Sequence, residues 1–338
     1  MSQDSIIRVA PLAFPWQTKD PFLVCVHHVD HYPRGNDRLG PAASLDGRDI
    51  GQDFAGKDGW RMYHGNVVPG FPQHPHRGFE TVTFVREGFI DHSDSLGATA
   101  RFGRGDVQWL TAGAGIVHSE MFPLLKPDAS NRLELFQIWV NLPAKSKFAA
   151  PYFTMFWDKD VPRVRPAEGV ELTLVAGALD GAQPPAPPPD SWAANPEAEL
   201  AIWLITLEQG AKWTLPAARN AQTARTLYFF SGSNVEIEGK ALPKHAAVEV
   251  AANRPIGLAA PDGTVEVLLM QGRPIGEPVA QYGPFVMNTR AELEQAFYDY
   301  QRTQFGGWPF KANDPVHPRE RGRFARHADG RVEEAAPP

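Results

Sequence analysis

Two short motifs carry side chains able to share one ion. His74-Pro75-His76 and, further along, His118-Ser119-Glu120 each place two such residues at positions i and i+2. On an extended strand those positions face the same side, so each pair can converge while Pro75 and Ser119 point away. Brought together, the pairs supply three imidazoles and one carboxylate. That set suits Fe, Mn, Co, Ni, Cu or Zn, and because affinity order alone does not discriminate among them, the residue types leave the metal open. An octahedral ion held by four protein ligands keeps two positions for substrate, water or dioxygen. With 11 histidines in the chain, some close pairs arise by chance, and a lone histidine is more often an ordinary polar residue than a ligand. Here both pairs stand beside strand pattern and turn glycines, the second behind Thr111-Ala112-Gly113-Ala114-Gly115. A rival cluster, His27, His28 and His31 in CVHHVDHYP, lacks that flanking turn pattern and reads as a strand and loop. Arg77, Gln108 and Trp109 lie near the motifs in sequence, where strand packing and turn support account for them equally well.

The elements that must position these residues read as mainly β. The chain has 338 residues, 43% hydrophobic and 21% charged, which predicts two globular units. It is rich in turn formers, with 30 Gly and 32 Pro. Between them lie short runs of β-branched and aromatic residues, among them TVTFVR at 81–86, DVQWL at 106–110, LELFQIWVN at 133–141, LAIWLITL at 200–207 and TLYFF at 226–230. These predict an all-β chain of two barrels. The proline tract QPPAPPP at 183–189 cannot form a ladder or a helix interior. We place the domain boundary there: an N-terminal metal-binding barrel over 1–182, a second barrel over 190–288, and a helix with tail over 289–338. Thr289-Arg290-Ala291-Glu292 has capping-box spacing and opens a helix with Leu293, Phe297 and Tyr300 on one face. Beyond Gly306 the chain is polar and arginine-rich, with little to bury, and is expected to be loosely held; the run from Arg319 to Arg331 reads as a solvated terminus.

The formal charge of −6, from 33 basic and 39 acidic side chains, argues against direct nucleic-acid binding. A single cysteine, Cys25, excludes an intrachain disulfide, and the opening residues show no secretory pattern, so a cytoplasmic location is expected. No apolar run approaches the roughly 18 residues of a spanning helix, so no membrane partner is expected.

An internal repeat appears when FPQHPHRGFETVTFVREG (71–88) is laid over LPAARNAQTARTLYFFSG (215–232) without a gap. The proline, the aromatic strand and the closing glycine coincide, while His74 falls on Ala218, His76 on Asn220 and Glu80 on Ala224. The two barrels are thus expected to share a fold and not a site.

The motifs also resemble a known family. Gly70, His74, His76, Glu80 and Gly88 are spaced like the first cupin motif, and Gly105-Asp106-Val107-Gln108-Trp109 through Gly113 and Gly115 to His118 is similar to the second. HPHRGFETVTFVREG, DHSDSLG, GDVQWLTAGAGIVHSEM, LFQIWVNLP and PIGEPVAQYGPFVMNT resemble the pirin family over most of residues 18 to 305. The resemblance implies two stacked cupin barrels with one metal, iron before the other candidates, in the N-terminal barrel only. It carries ligand roles onto His74, His76, His118 and Glu120, with Glu120 also the candidate base, and leaves Glu80 beside the ligands rather than among them. It implies either dioxygen-dependent opening of flavonols such as quercetin, with a phenolic substrate, or a non-enzymatic, redox-sensitive regulator that acts through a protein partner; a metal-bound fold without present activity is the blander outcome. The stretch from Arg34 to Tyr63 is longer than a compact member needs and bears on substrate access.

Overall fold

Short apolar runs cut by glycine and proline become strands almost throughout. The computed structural model describes residues 5–242 and 245–335, and Arg290–Thr303 is the α-helix among them. The chain divides into two compact units, one formed by Met1–Val26, Ile138–Asn141 and Lys159–Gly276, the other by His27–Gln137, Leu142–Asp158 and Glu277–Pro338. This division differs from the one expected at the proline tract. The tract does run without strand or helix, but Arg163–Ala167 and Val170–Ala176, which precede it, join the same sheet as Ala201–Leu207, which follows it. At the other end of the sheet, Ile6–Pro11 pairs antiparallel with Ala246–Ala251. A stiff segment is visible in composition, whereas the sheet its flanking strands will join is not.

Around the two histidine motifs, two sheets enclose a core. One has the order Tyr152–Phe156, Val107–Thr111, Phe79–Glu87, Asn131–Asn141 and Phe22–Tyr32; the other runs Val332–Glu334, Phe324–Arg326, Thr99–Gly103, Phe89–Asp94, Ile116–Met121 and Gly70–His76. Val85, Leu110, Leu133, Leu135, Phe153 and Met155 pack between them. The turn after Phe79–Glu87 needs Gly88, whose φ is +81° and where a Cβ would sit 3.0 Å from the Arg132 carbonyl oxygen.

The other unit repeats the arrangement. Ala224–Ser231 lies between Ala246–Ala251 and Val265–Gly272 as Phe79–Glu87 lies between Val107–Thr111 and Asn131–Asn141. In the overlay Thr83 corresponds to Leu227 and Val85 to Phe229, both fully buried in a core of Val248, Val267 and Leu269. At the position of Thr83 the repeated barrel carries an apolar side chain.

The helix begins where its capping box requires. The Glu292 amide donates to Thr289 Oγ1 at 3.2 Å, and the Thr289 amide donates to the Glu292 carboxylate at 2.8 Å. Leu293 and Ala296 are buried against Phe285 and Met287, with Phe297 and Tyr300 alongside.

The tail is not loosely held. Phe324–Arg326 extends the sheet beside Thr99–Gly103 and pairs with Val332–Glu334 on its other edge. Beneath it, the fully buried guanidinium of Arg101 forks onto Asp91 at 2.6 and 2.7 Å and donates to the carbonyls of His317, Pro318 and Arg321 at 2.8–2.9 Å. Arg323 in turn donates to Asp106 at 2.7 Å. The expectation failed because it counted apolar surface, while this tail is anchored through its carbonyls and arginines. The segment from Arg34 to Tyr63 is likewise packed: Trp60, Met62 and Tyr63 belong to the core, and Arg48 pairs with Asp53 at 2.9 Å while its guanidinium lies 3.3 Å from the centroid of the Trp60 ring.

Removing one partner of a buried ion pair strands the other. Arg101→Met should therefore lower unfolding free energy by about 3–5 kcal/mol in urea and expose residues 317–335 to proteolysis. An unchanged urea midpoint with a protected tail would show that Arg101 does not anchor it.

Candidate metal centre

Gly70–His76 runs antiparallel to Ile116–Met121 with His74 directly opposite His118. The register shifts between His74 and Phe71, the latter opposing Glu120; within that irregularity Pro72 has no N–H to give a ladder. The Gln73 amide donates instead to the Asn313 carbonyl at 2.7 Å. Gly70 makes the close approach that starts the strand: at φ +132°, a Cβ there would lie 2.4 Å from the Glu120 carbonyl oxygen.

This register brings the imidazoles together. The ligand atoms of His74, His76 and His118 all lie within 4.8 Å of one another, and the ring centroids are 4.4–4.9 Å apart. His74 Nδ1 is 2.9 Å from the Pro72 carbonyl oxygen, so Nδ1 carries the hydrogen and Nε2 the lone pair. His76 Nδ1 makes a longer contact of 3.4 Å with the Pro284 carbonyl. His118 is fully buried and neither of its nitrogens has a hydrogen-bond partner. Burial holds all three rings neutral: His74 is lowered to about 4 despite its hydrogen bond to Pro72, and His76 and His118 lie well below the usual histidine value, His76 helped by repulsion from His74 and His118 by repulsion from His74, His76 and His92. Neutral imidazole is the ligating form.

Glu120 stands one step back, its Oε2 3.8 Å from His118 Nε2. Gln137 Nε2 donates to that oxygen at 3.1 Å, and Thr83 Oγ1 lies 3.4 Å from Oε1. Burial raises the carboxyl to about 7, against the opposing pull of His92 and these hydrogen bonds. A buried imidazole without partners, two more rings converging on it and a carboxylate alongside fit a divalent transition metal.

Glu80 is placed differently. It is fully buried and accepts from Thr111 Oγ1 at 2.7 Å. The register from Glu80 to Phe84 is unbroken, so Glu80 and Thr83, an odd number of residues apart, occupy opposite faces of their strand. Thr83 faces Glu120; Glu80 does not. The rival histidines also separate. His27 Nε2 meets Glu134 at 3.1 Å with its ring stacked on Phe136, His28 Nδ1 meets the Tyr63 hydroxyl at 2.8 Å, and His31 is exposed. Arg77 supports the turn, donating to the Ala114 carbonyl at 2.7 Å and to Asp299 at 2.8 Å. Trp109 is buried with its ring 6.2 Å from Phe156 and its Nε1 unpartnered among the described residues, and Gln108 is buried with neither amide atom partnered there.

Sequence reasoning missed His92, Asp94, Thr83 and Gln137. His92 opposes Glu120 and Asp94 opposes His118 in the ladder, His92 Nε2 lies 3.1 Å from Asp94 Oδ2, and Asp94 Oδ1 accepts the amides of Leu96 and Ala98 at 2.9 and 3.1 Å. Their i, i+2 spacing in DHSDSLG is the same signal that marked the other two pairs. Thr83 and Gln137, which hydrogen-bond to each other within their own sheet, carry no such signal, because only the meeting of two sheets brings them to Glu120.

Comparison with known proteins places this geometry in a family. The pirin family model matches residues 50–140, and that of the pirin C-terminal cupin domain matches residues 202–306. The chain is 38% identical over 243 residues to a Pseudomonas aeruginosa protein named "Putative quercetin 2,3-dioxygenase", covering 70% of this chain and 80% of that one. It is 36% identical over 245 residues to Pirin-1 of Arabidopsis thaliana, covering 71% and 80%. The crystal structure of a quercetin 2,3-dioxygenase from Acinetobacter baumannii superposes with a TM-score of 0.71 at 26% identity, covering 90% of this chain and 98% of that one. The chain belongs to the pirin family, and its two β units are cupin domains.

Proposed function

We propose that this protein is a metal-dependent dioxygenase that opens flavonols such as quercetin with dioxygen, holding one divalent transition metal, iron as the expected ion, through His74, His76, His118 and Glu120. The observation that carries this reading is the convergence of three buried, neutral imidazoles within 4.8 Å, with the Glu120 carboxylate 3.8 Å from one of them. The likeness to proteins named quercetin 2,3-dioxygenase supports the substrate class. Bound there, such an ion would supply Lewis acidity, lowering the pKa of a hydroxyl placed against it.

The chain's own residues do the rest. The three imidazoles fix the geometry, and His74 is oriented by the Pro72 carbonyl. Glu120 both binds the ion and, as its hold on the ion loosens, accepts the flavonol 3-hydroxyl proton. Gln137 and Thr83 hold that carboxyl in place. The buried thiol of Cys25 suits a reducing cytoplasm. No helix among the described residues is long and apolar enough to cross a membrane.

Elemental analysis of purified protein should find about one equivalent of metal per chain, and close to none when His118 and Glu120 are both replaced by alanine. Loading that disappears only on replacing His27 and His28 would put the site elsewhere.

Metal binding needs the Glu120 carboxylate, which in the metal-free protein holds its proton below about 7. Affinity should thus fall by about tenfold per pH unit below that value, while His74 stays neutral down to about 4. Calorimetry near pH 6 should record about one proton released per ion, near pH 8.5 almost none, and Glu120→Gln should erase the difference. Equal release at both pH values would contradict the role of Glu120.

Oxygen uptake with quercetin by metal-reconstituted protein should fall to the metal-free level in His74→Ala. Turnover that persists unchanged in that variant would remove the metal-dependent reading. Absence of turnover in the wild-type protein with every metal tried would favour a regulator acting through protein contacts.

A further inference from the structure

Buried polar atoms nearly always find partners, because an unpaired one forfeits its hydration without compensation. Gln108 departs from this: its side chain is 1% exposed, and neither Oε1 nor Nε2 has a hydrogen-bond partner. Its strand, Val107–Thr111, pairs with Phe79–Glu87 so that Gln108 opposes Thr83 and Leu110 opposes Thr81. Directly opposed residues share a face of the sheet. Thr83 Oγ1 reaches Glu120 and Gln137, so this face is the one turned toward the histidine and carboxylate centre. Thr81 shares it, is fully buried, and its Oγ1 is also unpartnered. On the other flank Met155 opposes Gln108 and Phe153 opposes Leu110. An apolar wall beside the centre thus carries two polar groups that nothing among the described residues satisfies.

A carboxamide donates and accepts, and so does a hydroxyl; an apolar wall with a few placed polar groups suits a flat aromatic ligand bearing hydroxyls. Resting on the flavonol reading above, we infer that Gln108, with Thr81 beside it, determines specificity by hydrogen-bonding a hydroxyl on the substrate's aromatic rings, away from the 3-hydroxyl whose proton Glu120 takes. An ordered water shared between the two side chains is the competing account, and it needs two or more polar partners of its own.

The test is equilibrium binding to zinc-loaded protein, followed by the absorption of the ligand, with quercetin and with 3-hydroxyflavone. The second ligand keeps the 3-hydroxyl and 4-carbonyl and has no hydroxyl on its benzene rings. Gln108→Leu should weaken quercetin binding by about tenfold and leave 3-hydroxyflavone affinity and zinc content unchanged. Thr81→Val, which keeps the shape of the side chain, should weaken quercetin selectively by a smaller factor and serves if Gln108→Leu does not fold. Unchanged quercetin affinity, or an equal loss for both ligands, overturns the role of Gln108 while the flavonol reading stands. Failure of the wild-type protein to bind either ligand overturns the flavonol reading itself.

Discussion

Everything in the proposed site depends on the register in which Gly70–His76 meets Ile116–Met121. With His74 opposite His118, two i, i+2 pairs fall on one face of one sheet. A slip of one residue would turn an entire pair to the other side. Phe89–Asp94 continues the row, setting His92 against Glu120 and Asp94 against His118. The chain thereby assembles its polar centre from adjacent positions on three strands, with Thr83 and Gln137 reaching it from the other sheet.

Burial then decides the protonation states. Desolvation is the largest influence on both kinds of group and drives them toward neutrality, lowering the imidazoles and raising Glu120. For the imidazoles the neutral form is the binding form, so the site is ready for a cation before one arrives. For Glu120 it is not, and the carboxyl must give up a proton. The proposed site thus combines three donors insensitive to pH near neutrality with one that is sensitive. Glu80, equally buried, is excluded by strand parity: it lies on the opposite face from Thr83.

Much of this was legible in the residues. The i, i+2 spacing marked the histidine pairs because strand geometry has a period of two. The capping box marked the helix because its hydrogen bonds are local. The overlay of 71–88 on 215–232 pointed to a second barrel, and the strands it aligned do occupy corresponding places in their sheets. What escaped was non-local. The proline tract looked like a boundary, but Ile6–Pro11 and Arg163–Ala167 belong to the sheet of the second unit, and no local pattern announces a distant pairing partner. The arginine-rich tail looked solvated because Arg101, which binds its carbonyls, lies more than two hundred residues earlier in the chain. Gln108 looked like one more strand residue; only its buried, partnerless carboxamide sets it apart.

The central claim is that three imidazoles and one carboxylate share a single ion, and X-ray absorption spectroscopy of the metal-loaded protein reads it most directly. The account predicts three nitrogen scatterers with imidazole outer-shell features and at least one oxygen, all at about 2.0–2.2 Å. Loss of one oxygen scatterer in Glu120→Ala, with the imidazole features retained, would assign the carboxylate. A spectrum fitted by oxygen alone, or by fewer than three imidazoles, would contradict the account.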